Sequence, residues 1–140
     1  MAGALTLTGC GSDHSNPVAR PSDRTVDVTM TDNAFEPTSL EVTNGETVTF
    51  AFTNTGTARH EAIIGDDAAQ AAHHDEMGQA AEDDGHDDDH GGSTGAAAIT
   101  VEPGATGEIV HTFDESGTVL IGCHEPGHWE AGMKATITVT

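Results

Sequence analysis

The stretch GCHEPGHWEAGM, residues 122–133, decides how the rest of the sequence is interpreted. It places a thiol, two imidazoles close to it and a thioether within one short segment. Pro126 and Gly127 favour a turn that brings Cys123 towards His128. The spacing therefore predicts a loop whose side chains converge on a metal ion.

One further donor, His60, lies far upstream of this loop. A thiolate, two imidazoles and a distant thioether suit copper in both oxidation states, because sulfur favours Cu(I) and imidazole accepts Cu(I) and Cu(II) alike. Little then has to move when an electron arrives or leaves. The set His60, Cys123, His128 and Met133 predicts a mononuclear site with one copper ion per chain.

The same loop contains a competing pattern, His-Glu-x-x-His, which runs from His124 to His128. This zinc-protease signature works only on a helix, where residues four apart share a face. Pro126 followed by Gly127 makes a poor helix interior. An exported zinc hydrolase that depends on Glu125 is kept as a third hypothesis, behind the two copper functions below.

The loop and His60 together resemble the cupredoxins, the small blue copper proteins such as plastocyanin, azurin and auracyanin. The resemblance covers roughly residues 25–140. It is nearest to bacterial plastocyanin-like proteins associated with copper tolerance, which carry Arg-His-Glu, here residues 59–61, before an acidic insert. Two positions differ from the usual plastocyanin pattern: Glu61 replaces an Asn, and His124 replaces a small residue.

The resemblance implies a role for each donor. Cys123 would form the short bond from sulfur to copper, and His60 and His128 would complete the plane. Met133 would be the weak axial ligand. His128 would also be the electron port, with an apolar docking patch formed by Pro126 and Trp129 beside it; alternatively, Trp129 covers the site.

Two functions follow from these features, and neither makes the chain an enzyme. The first is a one-electron carrier between exported or membrane-associated redox partners, which the copper donor set favours. The second is an extracytoplasmic copper-handling protein that sequesters copper, which the resemblance to copper-tolerance proteins and the composition of residues 66–95 favour. The formal net charge of −20 argues against nucleic acid and favours partners with a basic docking surface.

Alternating polar and apolar residues predict seven or eight short strands between residues 25 and 140. The segment 46–53 is expected to cross the core with Val48, Phe50 and Phe52 on one face. Residues 33–37 are expected to form a turn with Phe35 as a plug. The pattern predicts an antiparallel β-sandwich with Greek-key connections, and the resemblance implies the cupredoxin version of this fold, as a monomer.

Residues 66–95 interrupt the strand pattern with an acidic insert that contains no Lys or Arg. We expect this insert to be disordered, with transient helix at most, because like charges repel along it. It is either a solvated loop or a weak metal-collecting arm. The candidate donors of secondary metal sites are His73, His74, Met77, His86 and His90.

The N-terminal residues resemble a bacterial lipoprotein signal. Leu7-Thr8-Gly9-Cys10 is similar to a lipobox, so that residues 1–9 would be a partial signal peptide and Cys10 the lipidated residue. Residues 10–24 would be a flexible linker to the domain at 25–140. The predicted location is the cell envelope or the outer face of the membrane, with the lipid as the only membrane contact. The alternative is a cytosolic protein with a stray cysteine.

Overall fold

The structure is a computed structural model that describes residues 23–80 and 96–140. Predictions about Cys10, His86, His90 and the segments 1–9 and 10–22 lie outside the described residues. Nine strands and one helix are described: β1 (Arg24–Thr31), β2 (Ala34–Glu36), β3 (Ser39–Val42), β4 (Thr47–Asn54), β5 (His60–Gly65), α1 (Asp67–Ala80), β6 (Ala97–Val101), β7 (Thr106–Thr112), β8 (Gly117–Gly122) and β9 (Lys134–Val139).

The strands form two sheets, as the alternating pattern predicts. One sheet has the order β2-β1-β4-β7 and the other the order β3-β9-β8-β5-β6. Most neighbours are antiparallel, but β1 and β4 are parallel, and so are β3 and β9. The predicted antiparallel sandwich is thus confirmed, with these two parallel pairs as exceptions. Neither parallel pair is consecutive in the chain, and the intervening segments provide the crossover that parallel neighbours require.

The core lies between the sheets and is centred on β4. Val48, Phe50 and Phe52 are fully buried, as their alternation with threonine and alanine predicts. The ring of Phe50 stacks on that of Phe52, with centroids 6.3 Å apart. Ile121 and Ile137, from the facing sheet, are also fully buried. Burial of such side chains stabilises a fold by about 1.5–3 kcal/mol each, which makes this layer the rigid base of the molecule.

Nine strands are described where the sequence predicts seven or eight, and β2 is the strand that was not predicted. Its residues were expected to form only a turn, but Ala34 to Glu36 pair with β1 in antiparallel register. Phe35 is fully buried, so its predicted role as a plug is confirmed. The segment is too short for alternation to distinguish a strand from a turn.

The helix α1 corrects the prediction of a disordered insert over residues 67–80. Asp66 is the N-cap of the helix, because its carboxylate accepts a hydrogen bond from the N–H of Ala69 at 2.8 Å. Ala69 and Gln70 are buried against the second sheet. This docking stabilises a helix that its own sequence favours only weakly. In the part of the chain described, no helix is both long and apolar enough to span a bilayer.

Candidate metal centre

Three strand ends of the second sheet meet where the predicted copper donors lie. β5 begins at His60, β8 ends just before Cys123, and β9 begins just after Met133. In the register of these strands, Gly122 pairs with both Ile63 of β5 and Lys134 of β9. The sheet therefore brings together donors that are far apart in sequence, and it fixes their backbones on neighbouring strands.

The loop between β8 and β9 closes through backbone hydrogen bonds. The N–H of Met133 donates to the carbonyl of His128 at 3.0 Å, and the N–H of Cys123 donates to the carbonyl of Met133 at 3.2 Å. Gly127 and Gly132 have φ angles of 83° and 92°, which side chains disfavour. These two glycines make the turns that the sequence predicts. Met133 itself is fully buried.

Cys123, His60 and His128 form a compact cluster. The Nδ1 atoms of His60 and His128 lie 3.3 Å apart. Sγ of Cys123 lies 3.4 Å from Nδ1 of His128. One donor atom from each of the three residues lies within 4.8 Å of the others. This is the separation expected of donors that share one metal ion, and two imidazoles with one thiolate are a donor set that fits copper.

The protonation of these groups also fits a cation. Burial raises the pKa of the Cys123 thiol, although N–H groups of Glu61 and Glu125 oppose the rise. Burial lowers the pKa of His60, and the nearby His128 lowers it further. Neutral imidazole is the form that binds metal, and a metal ion supplies the positive charge that a buried thiolate needs. The site therefore favours a bound cation over a free thiolate.

The loop that precedes His60 is held by polar contacts. The Asn54 amide donates to the carbonyls of Ala58 and Val101, at 2.9 Å in both cases. Arg59 pairs with the Glu125 carboxylate at 2.8 Å, which ties this loop to the one that carries Cys123. These contacts limit the movement of His60 relative to the rest of the cluster.

Glu61, one of the two departures from the plastocyanin pattern, has two separate roles. Its backbone N–H lies 3.4 Å from the sulfur of Cys123 and donates to it. Its carboxylate meets Nε2 of His73, on helix α1, at 3.0 Å. Burial raises the pKa of Glu61, and His73 opposes this rise. The side chain therefore links the helix to the cluster without replacing the backbone contact to sulfur.

His124, the other departure, belongs to a different group of side chains. Its Nε2 lies 2.8 Å from Oε1 of Gln70, and its Nδ1 lies 3.4 Å from Nδ1 of His74. The ring stacks on Trp129, with centroids 4.5 Å apart. Burial lowers the pKa of His124 to about 4, and His73 and His74 lower it as well. We call His73, His74 and His124 the second histidine group.

The zinc-protease interpretation does not agree with this arrangement. His124 faces Gln70 and His74, whereas His128 faces His60 and Cys123. The two imidazoles of the His-Glu-x-x-His pattern thus enter different groups. Residues 123–133 form turns rather than a helix, so the motif lacks the geometry that its chemistry requires.

The remaining predicted donors are only partly brought together. His74 and Met77 of α1 line a surface depression of about 210 Å³ together with His124 and Trp129. The sequence does not indicate a role for Gln70, because one polar residue in an alanine-rich segment gives no signal. The sequence indicates His124 only as a departure from the plastocyanin pattern and as the first residue of the His-Glu-x-x-His pattern, and not as a partner of His74.

Comparison with known proteins accounts for the cluster. The family model for copper-binding proteins of the plastocyanin/azurin family matches residues 23–140. The chain belongs to this family. Copper is accordingly its cofactor, and the cluster of His60, Cys123 and His128 is consistent with one copper site. The cupredoxin resemblance stated from the loop is confirmed.

Individual relatives agree with this assignment. The chain is 39% identical over 133 residues to the copper-resistant cuproprotein CopI of Rubrivivax gelatinosus, which covers 91% of this chain and 76% of the relative. It is 34% identical to CopI of Pseudomonas aeruginosa, with 86% and 78% covered. Auracyanin B superposes with a TM-score of 0.71 at 28% identity, covering 90% of this chain and 95% of that structure. Reduced auracyanin from Roseiflexus castenholzii gives 0.68 at 27% identity, covering 86% of this chain and 99% of that structure.

Proposed function

We propose that the chain carries single electrons through one type 1 (blue) copper ion. His60, Cys123 and His128 would hold the ion, and Met133 would be the weak axial donor. The observation that carries this proposal is the convergence of the two Nδ1 atoms and the thiol sulfur at the ends of neighbouring strands. When bound, copper supplies the one-electron couple. The proposal includes no catalytic turnover.

The protein contributes a geometry that is fixed in advance. Strand ends and the backbone hydrogen bonds of Cys123 and Met133 hold the donors, so little movement accompanies a change of charge. The N–H of Glu61 stabilises negative charge on the sulfur. Both features lower the reorganisation that would otherwise slow electron transfer.

The surface next to His128 supports a docking site for a redox partner. His128 is half-buried, and Pro126 beside it is exposed. Glu125 and Glu130 line the adjoining depression, and the whole chain carries a charge of −20. We therefore propose a partner with a basic docking surface. Trp129 stacks on His124 and also contacts the ammonium of Lys134, so its role is to hold the loop as well as to line this surface.

The proposed location is outside the cytoplasm, in the cell envelope. Support comes from the family membership, since proteins of this class are typically exported, and from the sequence around Cys10. Lipidation at Cys10 is part of this proposal. Mass spectrometry of the protein from its native membrane fraction tests it: an acylated N-terminal Cys10 agrees, and an intact unmodified residue 1–10 segment contradicts it.

Redox cycling tests the carrier function directly. The Cu(II) protein should accept one electron per chain from ascorbate and return it to hexacyanoferrate(III) over many cycles, without release of copper to a chelator in the solution. Cys123→Ser should lose copper on reduction, because the remaining donors no longer suit both oxidation states. Release of copper from the wild-type protein at each reduction would contradict the carrier function.

The alternative is copper sequestration, which the names of the CopI relatives and the second histidine group favour. Deletion of the insert is unsuitable as a test, because Gln70 is buried against the sheet. Replacement of His74, His86 and His90 by alanine is the sharper change. A carrier keeps its redox cycling and its copper protection in cells, whereas a sequestering protein keeps the cycling and loses the protection.

A further inference from the structure

The tautomer of His124 is determined by Gln70. The amide nitrogen of Gln70 donates to the carbonyls of Ile63 and Leu120, at 2.9 Å and 3.1 Å. A backbone carbonyl can only accept a hydrogen bond. The end of the Gln70 amide that contacts these carbonyls must therefore be the donating nitrogen. The amide oxygen therefore accepts from Nε2 of His124, at 2.8 Å. His124 carries its proton on Nε2, and its Nδ1 presents a lone pair.

That lone pair faces a second imidazole. Nδ1 of His74 lies 3.4 Å from Nδ1 of His124. This is close to the 3.3 Å between the two Nδ1 atoms of the copper cluster. His74 is exposed, while His124 is buried and held by Gln70 and Trp129. One donor is thus fixed in the protein, and the other is open to solvent.

A thioether lies in the same depression. Met77 follows His74 by three residues on α1, and residues three apart lie on the same helix face. Met77, His74 and His124 all line the depression of about 210 Å³. The carboxylates of Glu125 and Glu130 line it too and attract cations.

We propose that His74, His124 and Met77 form a second metal site that binds one Cu(I) ion. The two imidazoles would bind through Nδ1, and the thioether would supply the soft donor that favours Cu(I) over Zn(II). The site uses neither Cys123 nor His60, so it does not depend on the proposed electron-carrier function. Its residue His124 directly follows Cys123 of the copper cluster in the sequence. Its other two residues, His74 and Met77, lie on helix α1, where His74 is exposed to solvent.

The test disables the copper cluster by Cys123→Ser and counts the Cu(I) ions that the protein still binds. Cys123→Ser protein is titrated with Cu(I) under anaerobic conditions against bicinchoninate, a chromophoric Cu(I) chelator. Adding His74→Ala should lower the number of competitively bound Cu(I) ions by one per chain. Met77→Leu should keep that ion but weaken its binding by about tenfold or more, since one soft donor is lost. Zn(II) should not compete at equal concentration.

A matched control addresses His86 and His90, the two insert histidines that lie outside the described residues. His86→Ala combined with His90→Ala, in the same Cys123→Ser background, should keep the ion that His74→Ala removes. Silver(I), a closed-shell substitute for Cu(I), should shift the ¹⁵N resonances of Nδ1 in His74 and His124. His74 is exposed, so its replacement leaves the fold intact, which circular dichroism verifies.

The site is refuted if His74→Ala binds as many Cu(I) ions, with the same affinity, as its parent. Loss of the ion in the His86/His90 variant alone also refutes it, because the ion then binds elsewhere in the insert. Equal binding of Zn(II) refutes the preference for Cu(I).

Discussion

Cys123 and His124 are adjacent in sequence, yet they belong to two groups of side chains that are built in different ways. Cys123 joins His60 and His128 at three strand ends of one sheet. His124 joins His73 and His74, which lie on the only helix of the described residues. The first group is held by backbone pairing, and the second is held largely by the side chain of Gln70. The copper cluster should therefore tolerate changes in α1 that disrupt the second histidine group.

Gly122 directly precedes Cys123 and His124, and here we expect the largest effect. A Cβ atom there would lie 2.5 Å from Oε1 of Gln70 and 2.6 Å from the ring of Trp129. Gly122→Ala should lower the free energy of unfolding by about 1–3 kcal/mol, because the amide of Gln70 and the ring of Trp129 must both move. It should also shift the visible band of the Cu(II) protein, since Cys123 is the next residue. Urea unfolding of the metal-free protein and the visible spectrum measure the two effects.

Gly78→Ala is the matched control, because a Cβ atom at Gly78 would have nothing within 4 Å. As an exposed helix position, it should gain about 0.5–1 kcal/mol of stability. If Gly122→Ala proved as stable as wild type with an unchanged spectrum, Gln70 and Trp129 would not pack closely against Gly122.

Gln70→Leu should disturb the second histidine group and leave the copper cluster unchanged. It removes the hydrogen-bond partner of Nε2 in His124 and of three backbone carbonyls, which costs about 1–2 kcal/mol for buried groups. Cu(I) binding in the Cys123→Ser background should weaken, because His124 is no longer fixed. The visible band of the Cu(II) protein with Cys123 intact should keep its wavelength. A large shift of that band would mean that the helix also shapes the copper cluster.

Arg59→Gln should give the smallest effect. It breaks the ion pair with Glu125, in which the arginine side chain is 51% exposed. Solvent screens such pairs, so the expected loss of stability is below about 1 kcal/mol and declines further with added salt.

Arg24→Gln is the matched control for Arg59→Gln. It breaks a similar pair with Glu46, next to the other end of β4. Both variants should lose stability, and Arg24→Gln should lose more, because Arg24 also donates a hydrogen bond to the carbonyl of Glu41. Urea unfolding at low and high salt measures both losses. Only Arg59→Gln should alter the visible spectrum, because it alone joins the loops of His60 and Cys123. Identical spectra would show that this ion pair does not position the cluster.

The same contrast explains what the sequence can predict. The copper cluster follows from donor type and order, and the strands follow from alternation, as Val48, Phe50 and Phe52 illustrate. The second histidine group depends on how α1 docks. Among residues 67–78 of that helix, only Ala69 and Gln70 are buried, so no apolar period indicates its inner face. The partnership of His74 with His124 is a tertiary contact between segments fifty residues apart, and no local pattern contains it.

The visible absorption spectrum of the Cu(II) protein, beside Cys123→Ser and His74→Ala, tests the central claim most directly. The proposed thiolate-to-copper bond predicts an intense charge-transfer band that reductant bleaches. This band should be present in the wild type and in His74→Ala, and absent in Cys123→Ser. An intense band that survives in Cys123→Ser, or a wild-type protein that binds Cu(II) without the band, would contradict the assignment of His60, Cys123 and His128 as the copper site.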